Sequence, residues 1–168
     1  MATEYQPIID RVYEVLTDGA GAARTLSEAN RFATGLYPGQ ELDHQARDAR
    51  QQKRCWVAAG PLGRGDESEV NDRALYNVSV RVDLTYALEP AADQAAWREI
   101  AGLMPLDAHR IRGALGFPGN LTATAGGDPT GLASGCLLFE SWTPAEPLPS
   151  QRLWRASASF VGRLTLTY

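Results

Sequence analysis

Two stretches of the chain alternate strictly between apolar and polar residues. Over residues 75–86, Tyr76, Val78, Val80, Val82, Leu84 and Tyr86 fall on one side, and Asn77, Ser79, Arg81, Asp83 and Thr85 on the other. A period of two predicts a strand with one face buried and one wet, as in an antiparallel or mixed sheet. Fully extended, the stretch would reach about 40 Å at roughly 3.3 Å per residue. The pattern returns over 154–168. Trp154, Ala156, Ala158, Phe160, Gly162, Leu164, Leu166 and Tyr168 share one side, and Arg155, Ser157, Ser159, Arg163, Thr165 and Thr167 the other, with Val161 the exception. This predicts a second long strand.

Helical spacing marks the start of the chain. Tyr5, Ile8, Ile9, Val12 and Leu16 form one apolar stripe, which predicts a helix over 3–17. Thr3 and Gln6 suit a capping box, and Pro7 sits in the first turn, where a missing N–H costs little. A second helical region carries Ala92, Ala95, Ala96, Trp97, Ile100 and Leu103. Pro105 is expected to break it, and Asp107 to cap a short further helix with Ala108, Ile111 and Leu115 on one face. Further strands are expected at 120–125 and 137–142. Pro144, Pro147 and Pro149 then predict an extended linker. Residues 20–73 show little period; Cys55 to Ala58 suggests a short strand, and Gly60 to Asp72 a loop. Irregular chain of this length is usually a functional loop. The expectation is therefore one α+β domain over 1–168. Its mixed or antiparallel sheet, with two long strands, packs against an N-terminal helix and a helical segment between strands. A long loop or arm follows the first helix.

Composition narrows the function. At 168 residues, with 44% hydrophobic and 21% charged, the chain can bury a core without cross-links. A formal charge of -4 and a pI near 5.2 argue against a dedicated duplex-DNA binder, which usually shows a basic pI. Lys53 is the only lysine among 16 lysine and arginine residues. The first residues show neither a basic nor an apolar leader region, and no run of apolar residues suits a membrane span.

Candidate chemistry is sparse. His44 follows Asp43 and His109 follows Asp107, but neither stands in a nucleophile motif, so surface histidines are expected. Cys55 and Cys136 could pair, yet they make no disulfide framework. With the two histidines they lack the close ligand pairs of a zinc site. Gly60 to Gly65 lacks the Gly-Lys-Ser/Thr end of a phosphate loop. Arg64-Gly65-Asp66 spells an integrin-type tripeptide by chance, and Gly131 to Gly135 places its serine one position too late for a nucleophile elbow. Trp56, Trp97, Trp142 and Trp154 lie on separate elements, which suits packing better than base stacking. No catalytic residue, cofactor or metal is expected. The candidate partner-binding residues are Arg64, Asp66, Glu67 and Glu69, as exposed charges of the 60–73 loop.

The layout resembles a known family. Residues Tyr76 to Val82, the run from Asp107 through Ile111 to Ala114-Leu115, and Trp154 to Tyr168 are similar in order to the tail-terminator (tail-completion) proteins of long-tailed bacteriophages. The resemblance covers most of 1–18 and 74–168 and is one of size and layout. It implies a structural virion protein of the tail or neck, assembled in the host cytoplasm. Six copies would form a ring that caps the tail tube, ends its polymerisation and offers a surface to the head-completion or neck protein, with DNA passing non-specifically through the lumen. Another neck or head–tail joining protein is one alternative. A small α+β enzyme or ligand-binding domain is a second, and would need ionisable groups on the sheet's inner face, which reads as apolar throughout.

Overall fold

The two alternating stretches pair with each other along their whole length. In chain order, the elements of the computed structural model are helix α1 (Ala2–Thr17), strands β1 (Ala33–Thr34), β2 (Lys53–Ala59), β3 (Gly63–Arg64) and β4 (Arg73–Ala87), helix α2 (Gln94–Leu115), and strands β5 (Leu138–Leu148) and β6 (Leu153–Thr167). A 3-10 turn lies at Glu28–Asn30. The structure describes residues 2–19, 22, 24, 26–34, 53–60, 63–64, 73–87, 94–122, 128, 130–148 and 153–167. β4 and β6 run antiparallel in unbroken register from Arg73 opposite Thr167 to Ala87 opposite Leu153. They form the centre of a sheet ordered β1-β2-β4-β6-β5, with β3 also on β4. Only β1 runs parallel to its neighbour, so the sheet is mixed and the fold is α+β.

One face of this sheet holds the core. Val78, Val80, Val82, Leu84 and Tyr86 of β4 are buried beside Ala156, Ala158, Phe160 and Leu164 of β6. The register sets Phe160 opposite Val80, and Ala158 and Ala156 opposite Val82 and Leu84. Small residues on β6 leave room for the layer above. That layer is α1, through Ile8, Val12, Val15 and Leu16, and α2, through Met104, Ile111, Ala114 and Leu115. Burying a Val, Leu, Ile or Phe side chain contributes roughly 1.5–3 kcal/mol each.

Several expectations are corrected. α1 begins at Ala2, so Thr3 lies inside the helix and does not cap it. α2 is one helix, with Pro105 inside it. A proline takes the N–H from the carbonyl four residues back. Here Ala101 and Pro105 both lie on the exposed side, where water can serve that carbonyl, while Met104 and Ile111 anchor the turns on either side. Asp107 is therefore mid-helix, not a cap. Residues Asn120–Thr122 form turns, with Asn120 N–H on the Phe117 carbonyl at 3.1 Å and Thr122 N–H on that of Gly119 at 3.2 Å. No strand starts there, and 123–127 lie outside the described residues. β5 runs through Pro144 and Pro147. It is an edge strand, where a missing N–H need not break a ladder. The arm expected over 20–73 contributes β1, β2 and β3 to the sheet. Among the described residues the order is thus α, four strands, α, two strands.

The edge formed by β2 and β3 has one irregularity that matters below. Ala59 faces Val80, and Gly60 N–H donates to the Ser79 carbonyl at 2.7 Å. Gly63 then faces Asn77, one position out of the register that pairs Ala59 with Val80. β5 has a similar shift, since Phe139 faces Phe160 and Ser141 faces Ser159, leaving Glu140 extra.

Candidate functional site

The strongest cluster of ionisable groups lies on the inner face, which is not apolar throughout. Asp107 is fully buried in α2. Lys53, at the start of β2, sets its ammonium 3.2 and 3.1 Å from the two Asp107 carboxylate oxygens. The Tyr86 hydroxyl donates to Oδ2 at 3.0 Å and the Arg110 guanidinium to Oδ1 at 3.0 Å. Lys53 also donates to the Asn30 carbonyl at 3.4 Å and lies 4.7 Å from the Phe32 ring centre. One carboxylate thus joins α2, the end of β4, the start of β2 and the segment before β1. Burial first, and then the charge of Asp107, push the Tyr86 phenol well above its ordinary value. It stays a protonated donor. These contacts pair the Asp107 carboxylate with both cations, and the Lys53 side chain is only 9% exposed. The arrangement is a strut: it offers no open position to a substrate.

The remaining candidates for chemistry are dispersed. Cys55 is buried opposite Leu84, and burial pushes its thiol from 9.0 up to about 12, far from a nucleophilic thiolate. Cys136 is also a buried free thiol, donating to Ser134 Oγ at 3.4 Å. His109 is exposed on α2, and His44 lies outside the described residues. No group of three His, Cys, Asp or Glu able to hold a metal occurs among the described residues. Asn120 is buried and structural: its amide donates to the carbonyls of Ala114 at 2.8 Å and Arg24 at 2.6 Å, and its own carbonyl accepts from Arg11 at 3.2 Å.

Of the expected partner-binding residues, Arg64 sits in β3, paired with Tyr76. It belongs to the sheet and not to a loop. Asp66, Glu67 and Glu69 lie outside the described residues.

The larger open feature is the outer face of the sheet. Both helices pack on the inner face. On the outer face, Arg81, Arg155 and Arg163 are exposed, and Ser79, Ser157, Ser159 and Val161 are half-buried. Arg81 pairs with Asp83 at 3.0 Å, and Asp83 accepts from Ser157 Oγ at 2.5 Å. A groove of about 480 Å³ crosses this face. It is lined by the short residues Ala58, Gly60, Ser79 and Ser159, with Arg81 between Ala58 and Ser159 in the register, and by Glu140 of β5. Gly60 belongs there for a steric reason: a Cβ would stand 2.0 Å from Ser79 Oγ and 3.0 Å from Ser79 Cβ. The bulge at Glu140 turns that carboxylate to the groove side. Leu138, beside Val161 at the groove's end, is 61% exposed. The sequence signals for this surface were Ala58 on β2 and Gly60 just after it, Ser79 on β4, and Ser157 and Ser159 on β6, at outward positions that period alone assigns to solvent.

No protein-family model matches the chain, and the search of curated proteins finds no match either.

Proposed function

We propose that this chain is a structural assembly protein that forms a ring on the end of a phage tail tube. The ring ends tube growth and presents the attachment surface for the head and neck. The observation that carries this reading is a sheet face that no helix among the described residues covers. Two helices cover one side of the sheet, while the other offers a concave, small-residue surface with exposed Leu138 at its end. The order α, four strands, α, two strands keeps the first helix, the long strand, the second helix and the two closing strands of that layout, with three further strands before the long one, and loops joined to such a sheet can serve as partner surfaces.

The test is a tube-end assay. Purified chain is added to polymerising tail-tube protein and viewed by electron microscopy. The expected result is a ring of density at one tube end and tubes that stop growing. Tubes that stay bare and continue to lengthen refute the reading. Binding to filled heads but not to tubes would instead assign the chain to the neck.

A further inference from the structure

The buried group around Asp107 is arranged for a reaction as well as for support. Lys53 Nζ lies 3.2 and 3.1 Å from the two carboxylate oxygens. A nitrogen so nearly equidistant from both stands about 3.0–3.5 Å from the carbon between them, the range of a near-attack contact. Neither partner is open to water: Asp107 is fully buried, and the Lys53 side chain is 9% exposed. The Phe32 ring centre lies 4.7 Å from the ammonium.

The two carboxylate oxygens are held differently. Arg110 donates to Oδ1 at 3.0 Å, and the Tyr86 hydroxyl to Oδ2 at 3.0 Å. A fixed cation at one oxygen suits the negative charge that gathers there when a nucleophile adds to the carbon. A phenol at the other suits proton delivery to a departing oxygen.

We propose that Lys53 and Asp107 condense after folding to an intramolecular amide, with Tyr86 relaying a proton. A proton first passes from the ammonium to Oδ2, giving a neutral amine and a neutral acid. Burial penalises both charged forms, so this neutral pair is less disfavoured here than in water. The amine lone pair then forms the Nζ–Cγ bond, and charge gathers on Oδ1 beside Arg110. Tyr86 gives its proton to Oδ2 and takes one from Nζ. The Cγ–Oδ2 bond breaks with its electron pair, and Oδ2 leaves as water. One ammonium and one carboxylate become one amide and one water, with no oxidant and no net proton.

Arg110 also favours the ionised carboxylate. The neutral pair is therefore a minor form, and the bond accumulates slowly. Freshly folded chain retains the ion pair, and that strut is the reactant. The product removes two buried charges and ties the start of β2 to α2 across 54 positions. Closing such a loop restricts the unfolded chain as a disulfide does. The bond concerns the core alone, and it stands or falls apart from tube capping.

The test is mass spectrometry of the folded wild-type chain, followed over weeks at neutral pH. The expected result is loss of one water, with a tryptic product that joins Gln51–Arg54 to Glu99–Arg110. Asp107→Asn should give the same joined peptides with loss of one ammonia instead, and Lys53→Arg should give none. Tyr86→Phe should react about 10²-fold more slowly, with its fold checked by circular dichroism. Wild-type chain held in urea should not react, because only folding brings the two groups together. A folded wild type that retains its full mass overturns the proposal. Loss of water without the joined peptides marks closure of Asp107 on its own backbone and overturns it too, as does equal reaction in urea. A folded Tyr86→Phe chain that reacts at the wild-type rate overturns the relay. If the variants do not fold, the wild-type mass and its joined peptides decide.

Discussion

Replacing Asp107 by Leu should be among the most damaging single changes in this protein. The carboxylate is fully buried and accepts from Lys53, Tyr86 and Arg110. Arg110 is 34% exposed and can turn to water. Lys53 cannot: its side chain is 9% exposed, and without Asp107 it retains the Asn30 carbonyl at 3.4 Å and the Phe32 ring. Removing one partner of a buried pair costs about 3–5 kcal/mol, because a charge is left uncompensated. For a domain of this size, that lowers the melting temperature by about 6–20 °C. Lys53→Met should cost less, about 1–3 kcal/mol, because Asp107 keeps its two other donors. The double variant, Lys53→Met with Asp107→Leu, should return to within about 1 kcal/mol of the wild type, since apolar replacement of a buried ion pair is often neutral or better. Urea unfolding followed by tryptophan fluorescence reads all four corners of the cycle. If Asp107→Leu stays within about 1 kcal/mol of the wild type, the strut carries no net charge burial and the reasoning fails. It fails equally if the double variant loses as much as the two singles summed.

Three further outcomes follow from the same packing. Cys55 and Tyr86 hold their protons more tightly in the folded chain than in the unfolded one, through burial and, for Tyr86, the charge of Asp107. The folded chain therefore binds more protons at alkaline pH, and stability falls as pH rises; the Cys55 part is complete below 9.0 and is lost toward about 12. Cys55→Ala should flatten that part of the alkaline slope in pH-dependent urea midpoints, and an unchanged slope counts against it. Gly135 has φ +62 and lies where a Cβ would stand 2.8 Å from Gly119 Cα and 2.9 Å from its N. Gly135→Ala should cost about 2–4 kcal/mol through backbone strain and overlap, and a melting temperature within error of the wild type would refute it. Phe160→Ala should cost about 3–5 kcal/mol, whereas Ser159→Ala, next in the chain on the outer face, should change thermal stability by less than about 0.5 kcal/mol. Equal losses would refute the assigned strand parity.

The long strands were legible because each has one dry and one wet face, so hydropathy and burial share a period. β2 has the same alternation in burial and hides it in residue type. Lys53 is buried and Trp56 half-buried, with Cys55 and Val57 inside and Ala58 outward. A lysine at a core position and a tryptophan at an outward one cancel the apolar signal. β5 was truncated by its prolines, and the extra residue at Glu140 changes parity. Phe139 and Trp142, one at an odd and one at an even position, both pack on the core. In α2, Pro105 read as a break and Asp107 as a cap. The contrary evidence was present: Asp107 lies four residues before Ile111 and three after Met104, on the apolar stripe. The partner that makes burial tolerable, Lys53, is 54 positions away, and no local pattern can reveal it. The lone lysine of an arginine-rich chain was the signal that could have done so. A compact ammonium suits a site shared with a phenol and a guanidinium better than a second planar fork would.

The same limit applies with more force to the surface proposed for assembly. A polar outward period is satisfied equally by water or by a neighbouring copy, so alternation fixes which side chains leave the core and not what they meet. What separates the two cases here is size. A strand face exposed to bulk water tolerates long side chains, and nothing requires them to be short. Around Arg81 the outer positions of this groove hold Ala58, Gly60, Ser79 and Ser159, and Gly60 has no space for a Cβ because Ser79 occupies it. That concavity lies where β2 meets the centre of the sheet. It brings together residues from β2, β4, β5 and β6 that are separated by up to a hundred positions in the chain. It is a property of register, and register is set by the inner face. The core that the apolar residues build therefore also shapes the surface on the other side.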